Sequence, residues 1–308
     1  MADGSESKHL PPDDDMSNMA DMTEIYSSYK STLFSLAYRM LGSVTDAEDI
    51  VQEAFLNLDQ VSLHSIHHVK SYLWKITTNL SIDFLRSARK RREVYVGSWL
   101  PEPIINGMGA DPADRVITNE ELSIAFLQLL ENLNPVERAV FLLREVYSYS
   151  YDEIAQLIGK STDNSRKIQS RAKQKVGDLS PKNSGDRSKK EETVRDFMQA
   201  IQSNNIEKLL AILSDDFTVY SDGGGKAKAN VRPIFGIERA VAFLMGVSRK
   251  IPSDLIVIEA DVNGQPGMIM KVDDQIFYVL AFQFDDDKLS ALYNIVNPDK
   301  LKHLKKLK

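Results

Sequence analysis

From about Thr23 to Arg92 apolar positions recur at intervals of three and four, the period of helices with one buried face. Leu33, Leu36, Ala37, Met40 and Leu41 make one stripe; Ile50, Val51, Ala54, Phe55 and Leu58 make another. Gly42-Ser43-Val44 separates them. Thr45-Asp46-Ala47-Glu48 then reads as a capping box, its hydroxyl and carboxylate satisfying orphan backbone donors. The period fades over 94–118, where Trp99, Pro101, Pro103, Gly107, Gly109 and Pro112 collect. This segment reads as a linker with enough apolar content to lie on a surface. Helical spacing returns over 119–179, with Asn134-Pro135-Val136-Glu137 and Ser150-Tyr151-Asp152-Glu153 as helix starts. A polar second linker follows over 180–190.

Beyond it the pattern changes. Helical stretches over 191–203 and 205–214 lead to a short strand, Phe217–Tyr220, and a glycine-rich turn, Asp222-Gly223-Gly224-Gly225-Lys226. A helix is predicted over 236–249, then strands over 255–262, 267–272, 276–284 and 288–296, with turns at Asn263-Gly264 and Asp273-Asp274. The predicted fold class is multidomain: two all-α helical units over 24–93 and 119–179, the second with a helix-turn-helix, followed by an α+β domain over 191–301. Residues 1–23 read as a flexible acidic tail and 302–308 as a Lys-rich tail.

Charge sharpens this picture. Residues 1–24 hold one basic and seven acidic side chains, leaving 37 of each sign in the rest of the 308-residue chain. The net charge of −6 therefore belongs to the tail, and a near-neutral body can still carry local basic stripes. The absence of cysteine excludes disulfides, thiolate metal sites and a cysteine nucleophile, and fits a reducing compartment. No apolar run approaches the roughly 20 residues of a spanning helix. The acidic head lacks the basic and apolar segments of a secretory leader, so a cytoplasmic protein is expected.

Three surfaces could carry chemistry. In the helix following Gly159, residues Ser165, Ile168, Ala172 and Val176 share one face, which turns Asp163, Arg166, Lys167, Ser170 and Lys173 outward. That is a helix-turn-helix presenting cations and polar donors to a DNA groove, or a plain hairpin with a solvated basic face. Arg86, Arg89, Lys90, Arg91 and Arg92 end a helix containing Tyr72, Trp74, Asn79 and Asp83. Aromatics beside a basic stripe suit unpaired bases, although Tyr72, Leu73 and Ile76 fit a core equally well. Asp46, Glu48, Asp49, Gln52 and Glu53 make an acidic helix face, either merely solvated or awaiting a basic protein partner.

These segments together resemble a known family. Tyr38 through Phe55 is similar to the core-binding helix of bacterial sigma factors of the extracytoplasmic-function (ECF) type. Val69 through Arg86 resembles their promoter-melting and minus-ten-reading helix, and Leu133 through Ala172 their minus-thirty-five-reading domain. Trp99-Leu100-Pro101-Glu102-Pro103, Asp222 through Lys226 and Asn297-Pro298-Asp299-Lys300-Leu301 resemble signatures of the subgroup with a fused SnoaL-like, cone-shaped C-terminal domain.

The resemblance implies a promoter-specificity factor, without cofactor or metal, partnered by RNA polymerase core (β′ and β subunits) and promoter DNA, and with no membrane. It implies that Asp46, Glu48, Asp49, Gln52 and Glu53 meet the polymerase. Asn79, Asp83 and Arg86 would lie near the minus-ten strand, and Arg89, Lys90, Arg91 and Arg92 on phosphates. Thr162, Asp163, Arg166, Lys167, Ser170 and Arg171 would lie at the minus-thirty-five box. Trp99, Leu100 and Pro101 would meet Asp222, Gly223, Gly224, Gly225, Lys226, Asn297, Pro298 and Asp299 in a regulatory contact replacing a separate anti-sigma factor. The alternative reading is a DNA-binding regulator with a ligand-binding or catalytic cone. There Tyr220, Asp222, Tyr278 and Tyr293 would form the catalytic set, and an unknown small molecule would be the ligand.

Overall fold

The first stripe forms the buried face of α1 (Met22–Leu41), and the second the buried face of α2 (Val44–Asp59). Both pack on α3 (Val69–Glu93). The computed structural model describes residues 22–61, 65–106, 122–177, 186–249, 254–273 and 275–306, less the side chains of 89–93 and 305–306. The expected acidic tail therefore lies outside the described residues, as do the side chains of Arg89, Lys90, Arg91 and Arg92 and most of the 180–190 linker.

The cap of α2 is not the Thr45 box. Ser43 accepts from the Asp46 amide at 3.3 Å. Glu102, from the linker, accepts from the Val44 amide at 2.7 Å and from the Ser43 hydroxyl at 3.2 Å. The carboxylate that local spacing assigned to Glu48 comes from 58 residues away, while Glu48 stays exposed.

The second helical unit comprises α4 (Ile124–Leu130), α5 (Pro135–Phe141), a π-helical turn (Leu142–Val146), α6 (Tyr151–Ile158) and α7 (Thr162–Val176). The expected capping boxes at Asn134–Glu137 and Ser150–Glu153 both form. Gly159, at φ 65°, turns α6 into α7. The two helical units share one continuous core running from Ile25 to Val176. Across it the buried Arg138 donates to the Met40 carbonyl at 2.6 Å and pairs with Glu131 at 2.9 Å.

In the C-terminal part α8 (Arg187–Gln202) begins inside the expected 180–190 linker, and α9 (Ile206–Ile212) runs directly into a strand. That strand (β2, Leu213–Asp222) is longer than the predicted Phe217–Tyr220, because its polar start, Ser214–Asp216, shows no alternation to read. It precedes β3 (Ile234–Phe235), α10 (Ile237–Ser248), β4 (Ile256–Val262), β5 (Gln265–Val272), β6 (Gln275–Asp285) and β7 (Lys288–Ile295). The expected linker also supplies a strand, β1 (Ile105–Asn106), pairing antiparallel with β4 and completing the sheet order β1-β4-β5-β6-β7-β2-β3. Two residues carry no period, so sequence patterning could not show it.

The two sheet faces have different fates. Phe217, Val219, Met268, Met270, Phe282 and Leu292 pack under α8 and α10, against Phe197, Met198, Val241 and Leu244. The opposite face, with Val279, Ala281, Ala291, Tyr293 and Ile295, buries Leu100 and Ile105 of the linker and Ile124 and Ala125 at the start of α4. A mostly antiparallel sheet, parallel only between β7 and β2, can leave one face wet; here the linker and the second helical unit cover it. Among the described residues no helix is long and apolar enough to cross a membrane.

Candidate nucleic-acid interface and interdomain seam

On α2 the apolar stripe turns inward, so Glu48, Asp49, Gln52 and Glu53 are exposed together, with Leu56 62% exposed beside them. Asp46 is only partly exposed and lines a cavity of about 180 Å³ with Trp99, Glu102 and Lys300. The acidic face is thus open to a partner except at its first turn.

The face of α3 is differently placed. Asp83 and Arg86 are exposed and paired with each other at 2.8 Å. Asn79 is not free: its amide donates to the Leu157 carbonyl at the end of α6 (3.0 Å) and to the Lys75 carbonyl (2.7 Å). Trp74 is buried against two aromatics of the second helical unit, with ring centroids 4.7 Å from Tyr147 and 5.1 Å from Tyr149. The π-helical turn lies just before Tyr147, whose hydroxyl accepts from Arg39 at 2.9 Å. Thr77 and Thr78, fully buried on the same helix, have hydroxyls with no hydrogen-bond partner among the described residues. A buried hydroxyl without a partner is costly.

On α7 the predicted inward set, Ser165, Ile168, Ala172 and Val176, is buried. Asp163, Arg166, Lys167, Ser170, Arg171 and Lys173 are exposed, and Thr162 partly so. Arg166 pairs with Asp163 at 3.1 Å and lies over the Tyr151 ring at 5.5 Å, while Thr162 donates to Asp152 at 2.6 Å. Both candidate helices therefore belong to one body with a shared core, α7 facing solvent and α3 partly sealed.

The seam with the C-terminal domain centres on Asp222, which is fully buried. It accepts from Lys300 at 2.6 Å, the Leu100 amide at 2.8 Å and the Tyr95 hydroxyl at 2.5 Å. Burial, reinforced by Asp222, pushes the Tyr95 phenol well above its ordinary range, so it stays protonated and donates. The Lys300 ammonium lies over the Trp99 ring at 4.1 Å and the Tyr95 ring at 5.2 Å, and also donates to the Leu100 carbonyl. Asn297 donates to Tyr95 at 2.8 Å, and Lys226 pairs with Asp299. Pro101 is buried at the seam, whereas Pro298 is exposed.

The glycine loop fits close against this seam. Gly224, at φ 56°, leaves no room for a Cβ beside Asn297 and the Tyr95 hydroxyl. Gly223 is crowded by Ala227, and Gly225 faces Val96. The linker and the C-terminal segments are in contact here through Tyr95 and Lys300, which the sequence reading did not name as site residues, while Glu102 ties the linker to α2.

Gly42 gives a first prediction. Its φ is 67°, and a Cβ there would lie 2.6 Å from the Trp99 ring. Gly42→Ala is expected to push Trp99 out and to cost about 1–3 kcal/mol. Denaturant unfolding and a red-shifted Trp99 emission would register both effects.

The alternative catalytic set does not assemble. Tyr220 and Tyr293 stack at 5.2 Å on the linker-covered face, whereas Tyr278 belongs to the opposite face of the sheet. Alternation along β6 decides this. Phe197, Phe217, Met268, Met270 and Phe282 are buried between the sheet and its helices. Among the described residues no cluster of histidine and carboxylate side chains could hold a metal.

Residues 25–91 match the family Sigma-70 region 2, and residues 123–176 match Sigma-70, region 4. Two such helical units in this order define the sigma class of transcription initiation factors. The chain is 34% identical over 286 residues to the ECF RNA polymerase sigma factor SigJ of Mycobacterium tuberculosis, covering 89% of this chain and 91% of that one. It is 28% identical to the probable ECF RNA polymerase sigma factor SigI of the same organism, covering 94% and 98%. The crystal structure of the M. tuberculosis SigJ superposes with a TM-score of 0.76 at 30% identity, over 94% of this chain and all of that one. The chain belongs to the ECF RNA polymerase sigma factors. It is an initiation factor rather than an enzyme, and its C-terminal part is a sheet-containing α+β domain.

Proposed function

We propose that this sigma factor rests in a closed state, with its two promoter-reading units packed on one another, α3 against α6, and held so by the fused C-terminal domain. In this reading residues 24–93 bind polymerase and read the minus-ten strand, 119–179 read the minus-thirty-five box, and 191–301 regulate. The observation that carries it is the contact of Asn79 with the end of α6, beside Trp74 packed between Tyr147 and Tyr149. The two boxes lie about two turns of B-DNA apart, on the order of 70 Å. Units packed directly on one another, α3 against α6, cannot place α3 and α7 on both boxes, so promoter binding requires the units to separate. The unpartnered hydroxyls of Thr77 and Thr78 support the same reading, since polarity wasted in a closed interface is usable once α3 meets DNA.

The acidic face of α2 remains exposed in this state, which favours regulation of DNA reading over regulation of polymerase binding. Glu48, Asp49, Gln52 and Glu53 are the proposed contacts for a basic surface of the β′ subunit, with Asp46 joining once the seam loosens. Arg86, with Arg89, Lys90, Arg91 and Arg92, would neutralise phosphates and make binding steeply salt-dependent. With polymerase and DNA as partners, the chain works in the cytoplasm.

Run-off transcription with core polymerase tests the function: initiation at a cognate promoter is expected, and neither initiation nor core binding would end it. On α7, Arg166→Ala is expected to weaken promoter binding by about 1–3 kcal/mol and to relax discrimination at one position of the upstream box. Titration of polymerase–sigma complex against promoter variants at fixed salt would measure it.

A further inference from the structure

We infer that Asn263, at the tip of the β4–β5 hairpin, is the positioning residue through which the fused domain holds the two helical units together. The inference rests on the closed-state reading above and names a second attachment, separate from the Asp222 seam. Asn263-Gly264 has the composition of an ordinary exposed hairpin turn, and Asn263 has the left-handed φ of such a turn, 53°. Yet Asn263 is fully buried.

Its side chain reaches three separate parts of the chain. Oδ1 accepts from the Ile104 amide at 2.9 Å. Nδ2 donates to the Tyr38 hydroxyl of α1 at 2.8 Å and to the Leu122 carbonyl, just ahead of the Ser123 cap of α4, at 3.0 Å. Its backbone amide also donates to the Ile104 carbonyl at 2.8 Å. One carboxamide thus joins the first helical unit, the linker and the entry to the second, spending both donors and its acceptor.

The surroundings hold it in that pose. Asp261 accepts from the Gly264 amide and from Asn106, both at 2.8 Å, and pairs with Arg187 at 2.7 Å, fixing the shape of the tip. Tyr38, fully buried, passes the contact on by donating to the Glu102 carbonyl at 2.6 Å, and Glu102 caps α2. The hairpin lies at the β1–β4 side of the sheet, whereas Asp222 lies on β2 toward the other edge. Substitutions at the two points are therefore separable.

Asn263→Gly keeps the left-handed turn and deletes only the carboxamide. Asn263→Asp keeps the shape but sets a second oxygen against the Leu122 carbonyl. Hydrogen exchange of the full chain, resolved by peptide, reads the consequence, with β5 and β6 reporting that the domain stays folded. Asn263→Gly is expected to raise opening at the α3–α6 contact between about 5- and 150-fold, the range of typical coupling between sites. The 95–100 seam should stay protected and run-off transcription at limiting core polymerase should rise. Asn263→Asp should act more strongly. Tyr38→Phe, which removes one of the three partners, should act in the same direction but less, and serves if Asn263→Gly unfolds β5 and β6.

If Asn263→Gly, or Tyr38→Phe in its place, leaves α3 and α6 as protected as in the parent while Asp222→Asn exposes them, the hairpin is only a turn and the inference falls, with closed-state regulation intact. If these variants all expose α3 and α6 but leave transcription unchanged, the regulatory reading itself fails.

Discussion

Asp222→Asn is expected to cost the seam about 3–5 kcal/mol, the effect of breaking a buried ion pair from one side. Asparagine preserves the shape of the site but leaves the Lys300 ammonium enclosed between the Trp99 and Tyr95 rings without its counter-charge. Chemical denaturation followed by tryptophan emission should show the loss, and Trp99, one of two tryptophans, reports the seam directly. Pairing Asp222→Asn with Lys300→Met should recover most of the stability, because a buried site stripped of both charges is roughly neutral or better. The single variant should also raise promoter-dependent transcription at limiting polymerase, since the linker is released.

Reversal of the acidic face is the second large effect. Asp49→Lys together with Glu53→Lys is expected to weaken core binding by at least about 2–5 kcal/mol, roughly 30-fold to several thousand-fold in Kd. Both side chains are exposed, so circular dichroism and thermal unfolding should match the parent. A core pull-down with unchanged capture would exclude α2 as the polymerase-binding helix. A factor acting on DNA without polymerase would be indifferent to the change.

What the sequence made legible is what local physics determines. The helix-turn-helix could be read because its signals lie within a few residues of one another. Ser150 and Glu153 cap one helix, Gly159 ends it at a left-handed φ, and Ser165, Ile168, Ala172 and Val176 repeat at helical spacing. The late strands were readable from alternation and from Asn263-Gly264.

Contacts made at long range were not readable. Glu102 capping α2, the two-residue β1, and Lys300 seated on Trp99 each join residues far apart in the chain. Resemblance places Asn79 at DNA, and nothing local to it announces the Leu157 carbonyl of α6 as its partner. Asn263 shows the limit most sharply. The residue type that suits a turn is also the one whose carboxamide can hold three partners, and only burial tells the two uses apart.

If the proposed closed state opens when the factor works, α3 and α7 move apart. The chain contains no cysteine, so Lys75→Cys on α3 and Gln174→Cys on α7, both exposed positions, accept a pair of spin or fluorescent labels specifically. The interlabel distance should be short and narrowly distributed in the free chain. It should lengthen toward the order of 70 Å in the complex with core polymerase and promoter DNA. A distance that stays short in a transcriptionally competent complex, or that is already long in the free chain, would contradict the closed state.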